Sequence, residues 1–290
     1  MRILVSSDLH GHKALYDDLA GLVEAQAPDA VVLAGDLAPT DLARPSNVAD
    51  VASQREWFQT RFRAWCERIA KRSRILAAMG NLDWAANLDV LEKLDQDGLL
   101  TSLYHREADL GGEGRDAAPP LRVVAQLYVP ISPFRWKDWE RFDLPGQASP
   151  AARLDGYRSI PGGEVLRVDL AREHDSIEVQ VDHATADEDP ARLILVSHSP
   201  PYDTALDRIH DGTPVGSKAL RAWIDEHQPL AVLSGHIHES PDVSKAWSQR
   251  LGRTLCVNCG QRPGHLPVHA ALIEIDCARA EITGAKAFGI

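Results

Sequence analysis

The chain has 290 residues, 44% of them hydrophobic and 25% charged, which is the composition of a globular protein and excludes a disordered one. Its formal net charge of −11 disfavours nucleic acid and anionic membrane surfaces as partners. No apolar run approaches the roughly 18 residues of a membrane-spanning helix. The polar residues Ser6–Asp8 arrive before a signal-peptide core could form, so we expect a cytoplasmic protein.

The first part of the chain alternates strand-like and helix-like patterns. Short β-branched runs predict buried strands at residues 2–6, 30–34 and 74–78. Apolar residues at helical spacing predict two helices between them, with inward faces formed by Leu15, Leu19, Leu22 and Val23, and by Phe58, Phe62, Trp65, Cys66 and Ile69. This order predicts a sheet of parallel strands covered by helices.

Beyond residue 99 the pattern becomes less regular. Strands are predicted at 121–129, 164–170, 176–181, 192–196 and 230–233, and further strands within 254–284. A helix is predicted over 217–227, with Leu220, Trp223 and Ile224 facing inward. We expect one α/β domain spanning 1–290, with loop insertions near 104–120 and 144–163.

Side chains with oxygen or imidazole donors follow five of the predicted strands. They are Asp8 and His10 in D-L-H, Asp36 in G-D, Asn81 and Asp83 in G-N-L-D, His198 in S-H-S, and His236 and His238 in G-H-I-H. Ligand sites of open α/β sheets lie outside the carboxyl ends of strands. A single such residue is often only a cap or a hydrogen-bonding partner, but the ordered set of five indicates one site. Donors without a thiolate suit Mn, Fe, Zn or Mg.

These five blocks resemble the signature of the calcineurin-like metallophosphoesterases. The segments H-S-P-P-Y (198–202), V-G-S-K-A-L-R (215–221), Q-P-L (228–230) and G-H-I-H-E-S (235–240) resemble its bacterial and archaeal branch related to a cyclic-nucleotide phosphodiesterase. The resemblance implies an α/β fold with two packed, mainly mixed β-sheets flanked by helices, a four-layer sandwich.

The same resemblance implies two divalent metal ions and their ligands. Asp8, His10 and His238 would hold the first ion, Asn81, His198 and His236 the second, and Asp36 would bridge both. The implied reaction is hydrolysis of a small phosphodiester, with a nucleotide as one option, by a hydroxide bridging the metals. A phosphomonoesterase, a nuclease and a non-catalytic interaction scaffold are the alternatives; the sequence does not predict the oligomeric state.

The third block departs from the family pattern. Its usual histidine, thought to assist the leaving group, is Leu82 here, which cannot transfer a proton. Asp83 is the nearest side chain in sequence that could do so, and we predict Asp83 and His198 as catalytic residues.

Smaller features leave alternatives open. In the loop after His198, Tyr202 or His210 is predicted to contact substrate. Ser217 begins a helix whose N-terminus either receives a phosphate or is simply capped by this residue. An aromatic cluster is interpreted as core packing in preference to a base-stacking platform: Phe134, Trp136, Trp139 and Phe142.

Overall fold

The computed structural model describes residues 1–40, 48–104, 106–112, 118–145, 147, 152–262 and 264–290. The predicted insertions near 104–120 and 144–163 therefore lie partly outside the described residues. Within the described ranges, no helix combines the length and apolar character needed to cross a membrane. The prediction that residues 1–290 form one domain stays a prediction.

The strands, in chain order, alternate with helices in the first and last parts of the chain. They are β1 (Arg2–Ser6), β2 (Ala30–Ala34), β3 (Arg74–Ala78), β4 (Thr101–Ser102), β5 (Ala108–Leu110), β6 (Leu121–Gln126), β7 (Val129–Pro130), β8 (Glu140–Arg141), β9 (Asp155–Ser159), β10 (Val165–Asp169), β11 (Leu193–Ser197), β12 (Ala231–Ser234), β13 (Ser248–Leu251), β14 (Thr254–Asn258), β15 (Ala270–Asp276) and β16 (Glu281–Phe288).

The α-helices are α1 (Lys13–Gln26), α2 (Val48–Trp57), α3 (Arg63–Ile69), α4 (Leu88–Gln96), α5 (Ile177–Thr185), α6 (Lys218–His227) and α7 (Ser240–Ser244). A π-helical stretch, Phe58–Phe62, joins α2 to α3. Its two phenylalanines are buried, as the helical spacing predicts. Short 3₁₀ turns occur at Ala85–Asn87, Leu170–Arg172 and Pro190–Arg192.

Two six-stranded mixed sheets form the centre of the fold. The first has the order β16-β15-β1-β2-β3-β4, in which β1 to β4 are parallel. The second has the order β13-β14-β12-β11-β6-β5, in which β14, β12, β11 and β6 are parallel. Two-stranded pairs, β9 with β10 and β7 with β8, stand outside these sheets.

The burial pattern of β11 shows how the layers stack. Ile194 and Val196 belong to the large core cluster that also contains β1, β2 and β3 residues, so one face of the second sheet packs on the first. Leu193 and Leu195 belong to a separate cluster with Leu220 and other residues of α6. Because strand side chains alternate between faces, each sheet lies between its partner sheet and a layer of helices.

The predicted strands at 2–6, 30–34 and 74–78 are confirmed, as is helix α6 with its inward residues. The predicted strand at 176–181 is wrong, because the chain forms α5 there. Ser176 accepts a hydrogen bond from the backbone N–H of Val179 and caps this helix. Ile177 and Val181, four residues apart, are buried, whereas Val179 is exposed, so helical spacing prevails over alternation.

The predicted strand at 121–129 is broken. β6 ends at Gln126, and the next strand, β7, begins at Val129 and pairs with β8 instead of a sheet strand. The backbone N–H of Val129 donates to the carbonyl of Trp139 at 2.8 Å. The chain therefore leaves the second sheet at Gln126 to start the segment that contains the aromatic cluster.

Candidate metal centre

The predicted donor side chains gather where the parallel strands of both sheets end. Donor atoms of Asp8, His10, Asp36 and His238 all lie within 4.8 Å of one another and could hold a metal ion. The first three residues follow β1 and β2, and His238 follows β12 of the other sheet. The site is therefore built across the edges of the two sheets.

His198 connects the second sheet to this group. Its Nδ1 lies 2.7 Å from the carbonyl oxygen of Ala34, which can only accept, so Nδ1 carries a proton and donates. Its Nε2 lies 3.2 Å from Oδ1 of Asn81, 3.4 Å from Oδ2 of Asp36 and 3.8 Å from Oδ1 of Asp8. In a neutral imidazole, Nε2 would be an acceptor facing three oxygens, so a proton or a cation is required there.

The remaining histidines, His10, His236 and His238, also lie close to Asp8. Nε2 of His238 lies 3.1 Å from Oδ1 of Asp8, and Nε2 of His10 lies 3.4 Å from Nε2 of His238. His10 is also 3.9 Å from Oδ2 of Asp36. The backbone N–H of His236 donates to Oδ2 of Asp8 at 2.9 Å. These contacts connect the side chains of the other six predicted ligands, and the ring of His236 lies 5.1 Å from that of His198, centre to centre. The metal-binding roles of all seven stay predictions.

The ionisation of the cluster follows from burial and charge. Burial alone would raise the pKa of Asp8, but the neighbouring histidines, His238 first, lower it below the usual range. Burial lowers the pKa of His198, yet Asp36 and Asp8 outweigh this and raise it to about 9. Burial lowers the pKa of His10 to about 4. Without metal, protonated imidazole therefore balances the carboxylates, and cation binding must displace that proton.

Four of the donor residues also have an uncommon backbone conformation. Asp8, His10, Asp36 and His236 have positive φ angles of 58°, 45°, 51° and 69°. A residue with a side chain in this region costs on the order of 1–3 kcal/mol, and such strain concentrates at functional sites. Backbone hydrogen bonds maintain this conformation; for example, the N–H of Asp8 donates to the carbonyl of Gly35 at 2.9 Å.

Gly80 shows how closely the donors approach the backbone. A Cβ at this position would overlap Oδ1 of Asp36 and lie 2.7 Å from Nε2 of His198. Gly235 is similar, since a Cβ there would overlap Oδ2 of Asp8. Both glycines are therefore required by the site and are more than turn residues.

Asp83 occupies a position that joins two loops. Its carboxylate accepts from the backbone N–H groups of Gly80 at 2.9 Å, Leu37 at 3.0 Å and Ala38 at 2.9 Å. Burial, followed by the nearby charge of Asp36, raises the pKa of Asp83 to about 7. These contacts hold the loops after β2 and β3 together; the proton-donating role of Asp83 stays a prediction.

Gln54 is a further positioning residue, which the sequence reading missed. Its Nε2 donates to the carbonyl of Leu82 at 2.8 Å, and its Oε1 accepts from the backbone N–H of Trp84 at 2.9 Å. The side chain is fully buried. A lone glutamine on a helix carries no sequence signal for such a role, since only the fold brings α2 beside this loop.

The side chain of Leu82 faces away from water. It is 5% exposed and packs in an apolar cluster with Val51, Trp84 and Trp136. Its backbone N–H donates to Oδ1 of Asp36 at 2.8 Å. The main chain of Leu82 thus supports the site while its side chain belongs to a small core beside it.

The two predicted substrate residues lie in different surroundings. The ring of Tyr202 lies under the Lys218 ammonium, 5.1 Å from ring centre to nitrogen, beside the start of α6. The imidazole of His210 is exposed and lies 3.6 Å from Glu239, the residue after His238. His210 is thus linked through one side chain to the metal-site loop, and contact of either residue with substrate stays a prediction.

Of the two alternatives for Ser217, the plain cap is confirmed. Its hydroxyl accepts from the backbone N–H of Leu220 at 3.0 Å and donates to Asp143 at 2.6 Å. The Asp143 carboxylate also accepts from the N–H groups of Lys218 and Ala219. The N-terminus of α6 already has an anion from its own chain.

The aromatic cluster is mostly core, as interpreted. Trp136, Trp139 and Phe142 are buried, and Phe134 is 38% exposed. Trp139 donates through Nε1 to the carbonyl of Asp83 at 2.7 Å. Through Trp139, this cluster therefore contacts the loop after β3 that carries Asn81 and Asp83.

Comparison with known proteins agrees with this arrangement. The chain matches the sequence model of the calcineurin-like phosphoesterases over residues 1–240. Among curated protein sequences, none matches it. One solved crystal structure superposes with a TM-score of 0.63 at 16% identity, over 99% of this chain and 98% of that chain.

Two further solved structures share the fold. The protein TT1561 from Thermus thermophilus superposes with a TM-score of 0.53 at 15% identity, over 99% of this chain and 98% of its own. A dimetal phosphatase from Danio rerio superposes with a TM-score of 0.51 at 12% identity, over 94% and 92%. At these identities the structural likeness shows the fold alone. The family model, in contrast, matches more than half of the sequence. The chain therefore belongs to the calcineurin-like phosphoesterase family.

Proposed function

We propose that the protein is a binuclear metal-dependent phosphoesterase that favours phosphodiesters. The observation that carries this proposal is the convergence of Nε2 of His198 with oxygens of Asn81, Asp36 and Asp8. A buried imidazole lone pair and three oxygens with no donor between them are suited to a divalent cation.

The donor set fits two ions as the family pattern implies. Asp8, His10 and His238 would hold one ion, and Asn81, His198 and His236 the other, with Asp36 between them. Asp36 is suited to bridging because its Oδ2 lies near both His198, at 3.4 Å, and His10, at 3.9 Å. Mn, Fe, Zn and Mg all suit these donors. When bound, such a pair supplies Lewis acidity and neutralises charge on phosphoryl oxygens.

The chain's own residues prepare the site for this chemistry. The hydrogen bond from His198 Nδ1 to Ala34 fixes the tautomer that leaves Nε2 as the ligand atom. The backbone N–H of Leu82 orients Oδ1 of Asp36, and Asp83 fixes the loop between them. The donors are therefore held before any ion arrives, which limits reorganisation during the reaction.

The choice of a diester as substrate rests on the resemblance of the sequence to the branch related to a cyclic-nucleotide phosphodiesterase. With Leu82 in place of an acid, the site offers little help to a basic departing oxygen, and Asp83 and His198 remain the candidate catalytic residues. A small diester, a nucleotide among the options, is the substrate class we favour, in a cytoplasmic setting. The dimetal phosphatase from Danio rerio, which shares the fold, keeps a phosphomonoesterase as the second candidate.

Two other candidates have less support. A nuclease is disfavoured by the net charge of −11. A non-catalytic scaffold is disfavoured because four donor residues have strained, positive φ angles. Such strain does not improve binding at an interaction surface.

The test is a substrate and metal screen. Purified protein is loaded in turn with Mn, Fe, Zn and Mg and assayed on aryl phosphomonoesters, aryl phosphodiesters and cyclic nucleotides. We expect metal-dependent hydrolysis, fastest on an aryl phosphodiester. Asp36→Asn serves as the inactive control. Absence of metal-dependent hydrolysis of every ester, in protein shown to contain metal, would contradict the proposed function.

A further inference from the structure

A cavity of about 300 Å³ lies outside the metal centre, beside the exposed edge of the second sheet. β5 pairs only with residues Leu121–Val123 of β6, and beyond them no strand of the described part of the chain pairs with this edge. The cavity lies along residues 124–128, with the connection from β4 to β5 opposite and α5 at its side. Its volume is at the lower end of small-molecule sites, which span about 300–1,000 Å³.

Three aromatic side chains form part of the cavity wall, beside aliphatic, polar and charged residues. Trp139 contacts Tyr104 with ring centres 5.7 Å apart, and Tyr128 with ring centres 5.9 Å apart. All three line the cavity together with aliphatic groups, among them Val124 and Leu127. Aromatic side chains in such a wall favour a planar ligand, which can stack on or meet the edge of a ring.

Gln126 supplies an unused polar group at the same place. It lines the cavity, is 2% exposed, and its Nε2 has no hydrogen-bond partner among the described residues. Its Oε1 lies 3.5 Å from the hydroxyl of Ser197. A buried donor without a partner is destabilising, and a ligand with an acceptor would relieve this.

Carboxylates outnumber guanidinium groups at the cavity, because Arg122 is shared by Glu107, Asp109 and Glu188. Arg106 pairs with Asp95 at 3.0 Å, and Arg122 pairs with Glu107 at 3.2 Å and with Glu188 at 3.1 Å. No unpaired cation among these groups attracts a phosphate. The cavity therefore disfavours an anion and admits a neutral molecule, unlike the metal centre.

We propose that this cavity binds a small, neutral, planar nitrogen heterocycle, in contact with the rings of Tyr104 and Tyr128 and hydrogen-bonded to the amide of Gln126. A purine base has these properties: its ring nitrogens accept hydrogen bonds, and a glutamine amide pairs with adjacent donor and acceptor atoms of adenine. The site is spatially separate from the proposed metal centre, because no proposed metal ligand lines it.

Two short connections would transmit the effect of a ligand in the cavity to the metal centre. Trp139 donates to the carbonyl of Asp83, and Gln126 is in register with Ser197, which precedes His198. A ligand that restrains these side chains acts on both loops that carry the donors.

Adenine is the probe for the test, with indole as a planar control that lacks an acceptor nitrogen. Titration calorimetry on the full-length, metal-loaded protein, with saturating inorganic phosphate present to occupy the metal centre, should detect adenine binding. Gln126→Leu should weaken adenine binding about tenfold and leave indole binding unchanged, because only the hydrogen bond is removed.

Ala184→Phe, on the α5 wall, should abolish binding of both probes by filling the cavity. Val179→Phe is its matched control, since Val179 lies on the same helix, is exposed and does not line the cavity. Circular dichroism confirms that each variant is folded, and Gln126→Leu carries the test if Ala184→Phe is not. Absence of adenine binding, or equal adenine affinity in Gln126→Leu and unmodified protein, would overturn the proposal.

Discussion

At the scale of single residues, Leu82 separates the chemistry of this chain from the usual family pattern. Its side chain is packed against Trp84 and Trp136 and does not stand free near a reacting atom. Where the family pattern has a proton-donating histidine, this chain therefore has a leucine packed in a small apolar core. Negative charge on the departing oxygen must be handled without an acid at this position.

The first prediction concerns that leaving group. A positioned acid contributes about a hundredfold or more, so without one the rate should fall steeply as the leaving group becomes more basic. Aryl phosphodiesters of graded leaving-group pKa measure this slope. A flat dependence would show that another residue, with Asp83 the first to examine, already supplies the proton.

Leu82→His should flatten this slope only partly. The new imidazole enters a site where leucine is 5% exposed, so burial lowers its pKa and disfavours the charged acid. Leu82→Met, similar in volume and without a proton, is the matched control and should keep the original slope. A Leu82→His slope indistinguishable from that of Leu82→Met would mean that position 82 does not reach the leaving group.

The bridging assignment predicts an order of effects. Asp36 lies near both His198 and His10, whereas Asn81 is close only to His198. Asp36→Asn should therefore reduce the phosphodiesterase rate more than Asn81→Ala, because it removes charge from both halves of the site. The two are compared at equal metal content; equal losses would argue against a bridging Asp36.

Much of the site was predictable from the sequence at this scale. Asp8, Asp36 and His198 each follow a buried strand, and strand ends meet at one edge. No pattern in the sequence pointed to Gln54, because its contacts with Leu82 and Trp84 depend on tertiary packing.

At the scale of elements, the segment between β7 and β9 contains a fully buried ion pair. Lys137 and Glu140 contact each other with no exposed side-chain surface, and Glu140 also accepts from the backbone N–H of Ser132 at 3.1 Å. Burial raises the pKa of Glu140 to about 7 and lowers that of Lys137. This pair anchors the segment that presents Trp136 and Trp139 to the metal-site loop.

Removal of one partner should be costly. Lys137→Met should lower the free energy of unfolding by about 3–5 kcal/mol, because Glu140 is left buried without its partner. The folded-state pKa of Glu140 then rises further above the unfolded value, so the folded state retains a proton that the unfolded state releases. Because the pKa of Glu140 in the unmodified folded protein is already about 7, the loss relative to that protein should increase as pH rises above about 7.

Urea unfolding at several pH values measures this effect. Lys13→Met is the control, since Lys13 pairs with Asp17 on the exposed face of α1, where such pairs contribute about 1 kcal/mol or less. The double variant Lys137→Met/Glu140→Leu should be more stable than Lys137→Met alone. A pH-independent loss below about 1 kcal/mol would show that the pair does not anchor the segment.

The element predictions succeeded where periodicity was unambiguous. β1, β2 and β3 are continuous buried runs, and α6 has its apolar residues at helical spacing. Residues 176–181 alternate like a strand, but Ser176 caps a helix there, and Val179 lies on the exposed face of that helix. Alternation over six residues could not reveal which neighbours the segment would meet.

At the scale of the whole molecule, two sheets bring their strand ends to one place. Asp8, Asp36 and Asn81 follow strands of the first sheet, while His198, His236 and His238 follow strands of the second. Motif order predicted this set, but the distances across the sheets depend on how the two faces pack. The cavity at the β6 edge depends on that packing as well and was not foreseen.

The central claim is that the seven predicted ligands, which are these six residues and His10, hold two metal ions, and metal content tests it most directly. Protein purified without chelator, reloaded with Mn and freed of excess ion should contain close to two Mn per chain by elemental analysis, as a two-metal site requires. Asp36→Asn, treated in the same way, should contain fewer. A reloaded content near zero in folded, unmodified protein would contradict the account.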